Sequence, residues 1–103
     1  MAEKLKITIE DETLKKASEA ALSVEGVSSL VNVPLGFGIR FKEREKGIAT
    51  SIDENTVKFD IFINVAFGAR IPQVAFAVQE AVSKAIDISA NIKVNIHVQG
   101  IDF

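Results

Sequence analysis

The chain has 103 residues, of which 48% are hydrophobic and 25% charged, and twelve Lys and Arg against fourteen Asp and Glu leave a formal net charge of −2. This length and composition predict one globular domain over residues 1–103, and the mildly acidic balance disfavours nucleic-acid binding, which needs a basic surface. Cysteine is absent and His97 is the single histidine, which excludes thiol chemistry and two-histidine metal sites, so we expect no cofactor, no metal and no catalytic residue.

Hydrophobic periodicity predicts seven elements in the order β-α-β-β-β-α-β. Strict alternation of apolar residues indicates a strand, and apolar residues three and four positions apart indicate a helix. The predicted elements are, in chain order, a strand at Leu5–Glu10, a helix from Asp11 to Gly26, a short strand at Ile39–Lys42, its hairpin partner at Gly47–Ile52, a strand at Val57–Val65, a helix at Ile71–Asp87 and a strand at Ile92–Gln99. A turn is expected at Asp53–Asn55, before the longest strand.

This order implies an α+β fold, a two-layer sandwich in which two helices pack on one face of a mostly antiparallel sheet. At the helix ends, Asp11 is expected to supply the N-cap oxygen of the first helix. Pro72 is compatible with the first turn of the second helix. Asn91 is expected to adopt the left-handed conformation by which the chain leaves that helix.

The second face of the sheet is predicted to be open and to carry mainly polar residues. They are Lys58, Asp60, Phe62 and Asn64 of one strand and Lys93, Asn95, His97 and Gln99 of another. His97 has the chemistry of a general base or a lone metal ligand. A surface histidine is favoured, because catalysis also requires an orienting partner and a concave, dry site that the sequence does not supply.

Two phenylalanines are expected to be exposed. Phe62 falls on the polar face of the longest strand, and Phe76 falls about 140° away from the apolar stripe of the second helix. Exposed aromatics indicate a binding face, while the alternative is that the Phe37/Phe41 loop buries a wide face of that helix. The predicted partner-binding residues are Phe62, Phe76, Glu80, Asn95 and His97.

Membrane insertion and secretion are not expected. No stretch approaches the roughly 20 apolar residues of a membrane-spanning helix, and the charged N-terminus lacks the apolar run of a signal peptide. We therefore predict a cytoplasmic protein without direct membrane insertion.

Several short segments carry a resemblance to a known family. They are Val57–Ile61, Ala66–Gly68, Ile71–Ala75, Val78–Val82, Val94–Ile96 and Val98–Ile101. In these segments the chain resembles the strand, turn, helix and final strand of the alkaline shock protein twenty-three / general stress protein twenty-four family, found mainly in Gram-positive bacteria. The N-terminal strand, the first helix and Glu25–Val27 are also similar. One departure is Ile88–Asn91, where relatives usually have a Thr-Gly pair, and Asn91 is expected to replace that glycine.

The resemblance implies a small, cytoplasmic, non-enzymatic protein linked to cell-envelope stress and, in some relatives, recruited to the membrane by a partner. It also implies a turn at Gly68, packing by Val74 and Val78, and an open-face hydrogen bond by Asn95. The leading hypothesis is a structural or adaptor protein that forms a homo-oligomer and binds protein partners, one of them membrane-anchored. The alternative is an RNA or single-stranded nucleic-acid module that stacks bases on Phe62 beside Lys58 and Lys93.

Overall fold

A computed structural model of the protein describes residues 8–37 and 45–103. These residues form an α+β fold, as predicted from the sequence. The elements are α1 at Asp11–Leu22, β1 at Val27–Leu30, β2 at Ile48–Asp53, β3 at Thr56–Ala66, α2 at Ile71–Ala85 and β4 at Asn91–Asp102. The long strand, the second helix, the last strand and the Asp53–Asn55 turn therefore lie where the periodicity predicts them.

The sheet is organised around β3, which pairs along both of its edges. β4 pairs with it in parallel from Thr56↔Asn91 to Ala66↔Asp102. On the other edge β1 and β2 are both antiparallel to β3 and follow one another end to end. The sheet of the described residues is therefore mixed, with two antiparallel pairings and one parallel pairing.

β1 and β2 behave as one strand that is interrupted opposite Phe62. The Val31 N–H donates to the Phe62 carbonyl at 2.9 Å, and the Phe62 N–H donates to the Gly47 carbonyl at 2.8 Å. These two hydrogen bonds bracket the point where the chain leaves the sheet and returns to it. The long connection between the two strands therefore starts and ends beside Phe62, which determines what covers this part of the sheet.

The core lies between the sheet and the two helices. On β3, the alternating residues Val57, Phe59, Ile61, Ile63 and Val65 are all fully buried. They pack with apolar residues of both helices, namely Leu14, Ala17, Ala21, Val74, Val78 and Val82. Burying each large side chain stabilises the fold by about 1.5–3 kcal/mol, so period-two alternation on β3 and helical spacing on α2 build one apolar layer.

Both helices end earlier than predicted, α1 at Leu22 instead of Gly26 and α2 at Ala85 instead of Asp87, and their capping also differs from expectation. α1 begins at Asp11 itself, and its N-cap position is Glu10, which makes no side-chain capping hydrogen bond; the prediction that Asp11 is the N-cap is wrong by one position. α2 ends at Ala85 because Ile86 is extended, with φ −85° and ψ 121°, and is buried in the core. Asn91 has no positive φ and begins β4, so the predicted left-handed exit there is also wrong.

Two predicted strands lie partly or wholly outside the described residues. Of the strand predicted at Leu5–Glu10, residues 5–7 lie outside the described residues and residues 8–10 are not in a strand. The hairpin arm predicted at Ile39–Lys42 also lies outside them. The short strand that the structure describes in this region is Val27–Leu30, earlier in the chain than the prediction.

Candidate interaction surfaces

The register of the sheet brings the predicted open-face residues together in rows. Lys58 lies beside Lys93, Asp60 beside Asn95, and Phe62 beside His97. In the first row, two lysines of the same charge are neighbours on adjacent strands, an arrangement that destabilises a sheet slightly unless an anion or acidic group compensates it. The sequence predicted the face of each residue, whereas the rows depend on the parallel register of β3 and β4.

Asp60 anchors a polar network at the centre of this face. Its residue is 5% exposed, and its Oδ1 accepts hydrogen bonds from Asn95 Nδ2 at 3.2 Å and from His97 Nε2 at 2.9 Å. A buried carboxylate is tolerated when it is hydrogen-bonded in this way. Asn95 and His97 therefore have a structural role on this face, and the open-face hydrogen bond expected of Asn95 is made to Asp60.

His97 has the orienting partner that sequence reasoning could not identify. Besides its bond to Asp60, its ring stacks on Phe62, with centroids 4.5 Å apart and an interplanar angle of 12°. Phe37 meets the same ring edge-on at 5.4 Å. These contacts fix the imidazole by one carboxylate and two aromatic rings, which is the environment of a packed, positioned side chain.

The expectation that Phe62 is exposed is wrong, because its exposed fraction is 1%. Its ring is covered by His97 and by Phe37, whose ring meets it edge-on at 4.9 Å and 81°. The connection that leaves the sheet opposite Phe62 carries Phe37 back over it. The sequence offers this loop as a cover for α2, whereas the ring of Phe37 packs on Phe62 and His97 at the other face of the sheet. The base-stacking hypothesis thereby loses the exposed aromatic on which it depends.

Phe76 is 60% exposed, as expected from its place on α2. It lines a groove of about 310 Å³ with Ala75 and Gln79 of α2 and with Asn95 and Ile96 of β4. At the floor of this region Gln79 Nε2 donates to the Val94 carbonyl at 2.7 Å. Two of the predicted partner-binding residues, Phe76 and Asn95, therefore share one groove along the side of β4.

Glu80, the remaining predicted partner-binding residue, lies one helical turn after Phe76. It is exposed on the outer side of α2. Glu80 lies next to the groove but does not line it. Its carboxylate can therefore contact only the edge of a partner that binds at Phe76.

A second exposed apolar surface was missed by sequence reasoning. Phe67 is 70% exposed and Phe103 is 98% exposed, and their ring centroids are 5.1 Å apart. The Phe67 N–H donates to the Asp102 carbonyl at 2.8 Å, which joins the end of β3 to the end of β4. The sequence predicts the turn that contains Phe67 and Gly68, but the pairing of Phe67 with Phe103 depends on the tertiary register.

A cleft of about 490 Å³ lies beside this aromatic pair. Its lining comes from the turn before β1, the end of β3, the β3–α2 connection and the first two turns of α2. It comprises Glu25, Gly26, Ala66, Phe67, Ala69, Arg70, Gln73, Val74 and Ala77. Gly26 has φ +99°, and a Cβ there would approach Val74 Cγ2 to 2.6 Å. The floor of the cleft is therefore closely packed, and its opening adjoins the exposed Phe67 ring.

The described residues contain neither a metal-binding cluster nor a membrane-spanning helix. Within residues 8–37 and 45–103, no group of three or more histidine, aspartate or glutamate side chains is arranged to hold a metal ion. No helix in the same residues is long and apolar enough to cross a membrane.

Comparison with known proteins identifies the family. Residues 1–103 match the model of the alkaline shock protein twenty-three family, described by a cell envelope-related function. The chain belongs to this family. Two relatives from Gram-positive bacteria agree with the assignment, and both are themselves uncharacterized. Spy1535 of Streptococcus pyogenes is 33% identical over 86 residues, which cover 80% of this chain and 67% of Spy1535. YqhY of Bacillus subtilis is 33% identical over 94 residues, which cover 84% of this chain and 69% of YqhY.

Solved structures resemble this alkaline shock family member in fold. A MamM CTD variant with histidine replaced by glutamate superposes with a TM-score of 0.57 and 19% identity, covering 87% of this chain and 93% of that chain. The copper form of MamM CTD gives a TM-score of 0.51 and 17% identity, covering 90% and 96%. At such identities the likeness concerns the fold alone.

Proposed function

We propose that this alkaline shock family protein is a non-enzymatic structural or adaptor protein of the cell-envelope stress response. In this proposal it self-associates into a homo-oligomer and binds protein partners in the cytoplasm of a Gram-positive bacterium. A membrane-anchored protein among these partners would recruit it to the membrane. The family's envelope-related description supports the setting.

The observation that carries the proposal is the set of exposed phenylalanines. Phe76, Phe67 and Phe103 are 60%, 70% and 98% exposed. Exposed aromatic side chains beside grooves are typical of protein–protein contacts, where aromatic residues are enriched. Removing one such ring from water contributes about 1.5–3 kcal/mol, so three of them supply a substantial part of a binding free energy.

The contacts of His97 support the non-enzymatic part of the proposal. The imidazole is used in packing, between the Asp60 carboxylate and the rings of Phe62 and Phe37.

The experiment compares Phe76→Glu with a matched control, Leu22→Glu. Leu22 is also a helical residue and is 49% exposed, but it lies on α1, away from the groove. Phe76→Glu should lower the solution mass measured by light scattering and reduce recovery of partner proteins from crosslinked native lysate, whereas Leu22→Glu should leave both unchanged. Unchanged mass and recovery for Phe76→Glu would contradict the role assigned to α2.

A nucleic-acid function is the second candidate, favoured by the neighbouring cations of Lys58 and Lys93. Phosphate groups would relieve their mutual repulsion. The buried Phe62 and the net charge of −2 disfavour it. Titration with labelled single-stranded RNA at low salt distinguishes the two: binding that is lost in a Lys58→Ala/Lys93→Ala variant would favour this candidate, and no binding of the wild type would remove it.

A further inference from the structure

The strand β4 lies at one edge of the sheet. Within residues 8–37 and 45–103 it pairs with β3 alone, although it is 12 residues long. The backbone N–H and C=O groups of a strand alternate between its two sides, so half of those in β4 point away from β3. The side chain of Gln79 on α2 donates to one β4 carbonyl, that of Val94. An edge of this kind is a template for another strand.

The helix side of this edge keeps apolar surface that the described chain does not cover. On β3 every helix-side residue from Val57 to Val65 is fully buried. On β4 the corresponding residues Ile92, Ile96 and Val98 are only half-buried. The groove of about 310 Å³ that Phe76 lines lies beside them, and all of its lining residues are uncharged. A side chain that enters this groove is therefore expected to be apolar, because charge is depleted at the centre of protein interfaces.

The open face of the same edge carries unpaired positive charge. Lys93 of β4 stands beside Lys58 of β3, and both are exposed. Among the described residues neither ammonium group has a carboxylate partner, and the carboxylate of Asp60 accepts from Asn95 and His97. Like charges on adjacent strands repel each other, whereas an opposite charge beside Lys93 is stabilising. A strand added outside β4 places a side chain next to Lys93, so charge complementarity selects an acidic residue there.

We propose that an extended, acidic segment of a protein partner adds to the sheet as a strand along the outer edge of β4. This rests on the partner binding in the proposed function and specifies the chemistry of the partner. The side chains of the segment alternate between the two faces. Apolar ones cover Ile96 and contact Phe76 on the helix side, and an acidic one lies beside Lys93 on the open face. Main-chain hydrogen bonds give such a complex its affinity, and the alternate side chains give it specificity.

The probe is a short synthetic peptide that alternates valine and glutamate, titrated into the isotope-labelled protein and followed by NMR. The amide resonances of β4 between Asn91 and Val98 should shift, and the amides that point away from β3 should become protected from hydrogen exchange. A peptide that alternates valine and lysine has the same strand pattern and the opposite charge, and should bind about tenfold more weakly or less. The valine–glutamate peptide with every backbone nitrogen methylated lacks main-chain donors and should not bind.

Charge variants of the protein test the position beside Lys93. Lys93→Glu should lower the affinity for the valine–glutamate peptide about fivefold or more, because it places a like charge beside the acidic side chain. The same variant should bind the valine–lysine peptide better than the wild type does. Lys15→Glu is the matched control, since it makes the same charge change at an exposed residue of α1. Its affinity for the valine–glutamate peptide should change less than about twofold, because surface charges far apart are screened.

The results that would overturn this inference are distinct from those that would overturn the proposed function. The β4 pairing is wrong if the valine–glutamate peptide at millimolar concentration leaves the β4 amides unchanged, or if the methylated or the valine–lysine peptide binds equally well. It is also wrong if all β4 amides are already protected in the free protein, because another segment or a second copy then occupies the edge. In each case partner binding stands as long as Phe76→Glu reduces partner recovery from lysate. If Phe76→Glu leaves recovery unchanged as well, both proposals are wrong.

Discussion

The two faces of β3 are built in different ways. On the helix side, five alternating apolar residues, including Phe59, are fully buried under α1 and α2. On the other side, Asp60 and Phe62 are buried almost as completely, although no helix of the described chain covers them. Their cover comes from side chains of β4 and of the β1–β2 connection, namely Asn95, His97 and Phe37. One face is closed by secondary structure and the other by individual contacts.

The largest expected difference between the faces is between Phe59→Ala and Phe62→Ala. Both rings are buried to 1% or less. Phe59→Ala leaves a cavity that two helices and the sheet hold open, and should lower the free energy of unfolding by about 3–5 kcal/mol. Phe62→Ala should cost less, about 2–3 kcal/mol, because Phe37 and His97 can move into the space. Chemical denaturation of both variants measures the two free energies of unfolding. A larger decrease for Phe62→Ala would contradict the view that individual, movable side chains cover this face.

The second-largest effect is expected from Asp60→Ala, which removes the centre of the polar network on the second face of β3. Asp60→Ala removes the acceptor of both Asn95 and His97 and should cost about 1–3 kcal/mol. Because the two donors act through the same oxygen, a double-mutant cycle of Asp60→Ala and His97→Ala should give a coupling of about 0.5–1.5 kcal/mol. Additive losses would mean that the 2.9 Å contact between Asp60 and His97 adds nothing to stability.

Periodicity predicted the helix-side face well because each residue's environment there follows from its own element. Val57 to Val65 alternate on one strand, and Val74, Val78 and Val82 repeat at helical spacing on α2. The covered face could not be predicted in this way. Phe62 is buried by Phe37, which is distant in sequence and reaches it through the interruption between β1 and β2.

Two other features also depend on tertiary register. The bond from His97 to Asp60 requires the parallel pairing of β4 with β3, in which Asp60 lies beside Asn95. The contact between Phe67 and Phe103 requires the ends of the same two strands to meet. The sequence places Asp60, His97 and Phe67 in the correct strand or turn and assigns Phe103 to no element, and no local pattern determines which residue each of them contacts.

A smaller effect is expected at the glycines of the β1–β2 connection. Gly47 has φ +79°, and a Cβ there would lie 2.9 Å from the Val31 carbonyl oxygen. Gly36 has a similar φ of +85°, with nothing within 4 Å of its Cβ. Alanine at either position bears the left-handed strain of about 1 kcal/mol, and Gly47→Ala also displaces the hydrogen bonds that bracket Phe62. Gly47→Ala should therefore lower the melting temperature more than Gly36→Ala. Equal decreases would mean that displacing the two hydrogen bonds on either side of Phe62 does not affect stability.

The smallest effect is expected from Phe37→Ala, which removes the outer ring of the covered face. Phe37 meets Phe62 and His97 edge-on at 4.9 and 5.4 Å, and an aromatic pair contributes about 0.5–1.5 kcal/mol. The loss of stability should be near that range, because the stack of Phe62 on His97 and the bond to Asp60 remain. The sharper readout is the NMR spectrum of His97, whose ring protons should lose the shift caused by the Phe37 ring while retaining that from Phe62. Unchanged His97 resonances would show that Phe37 does not cover this face in solution, and the second face of β3 would then be closed by β4 alone.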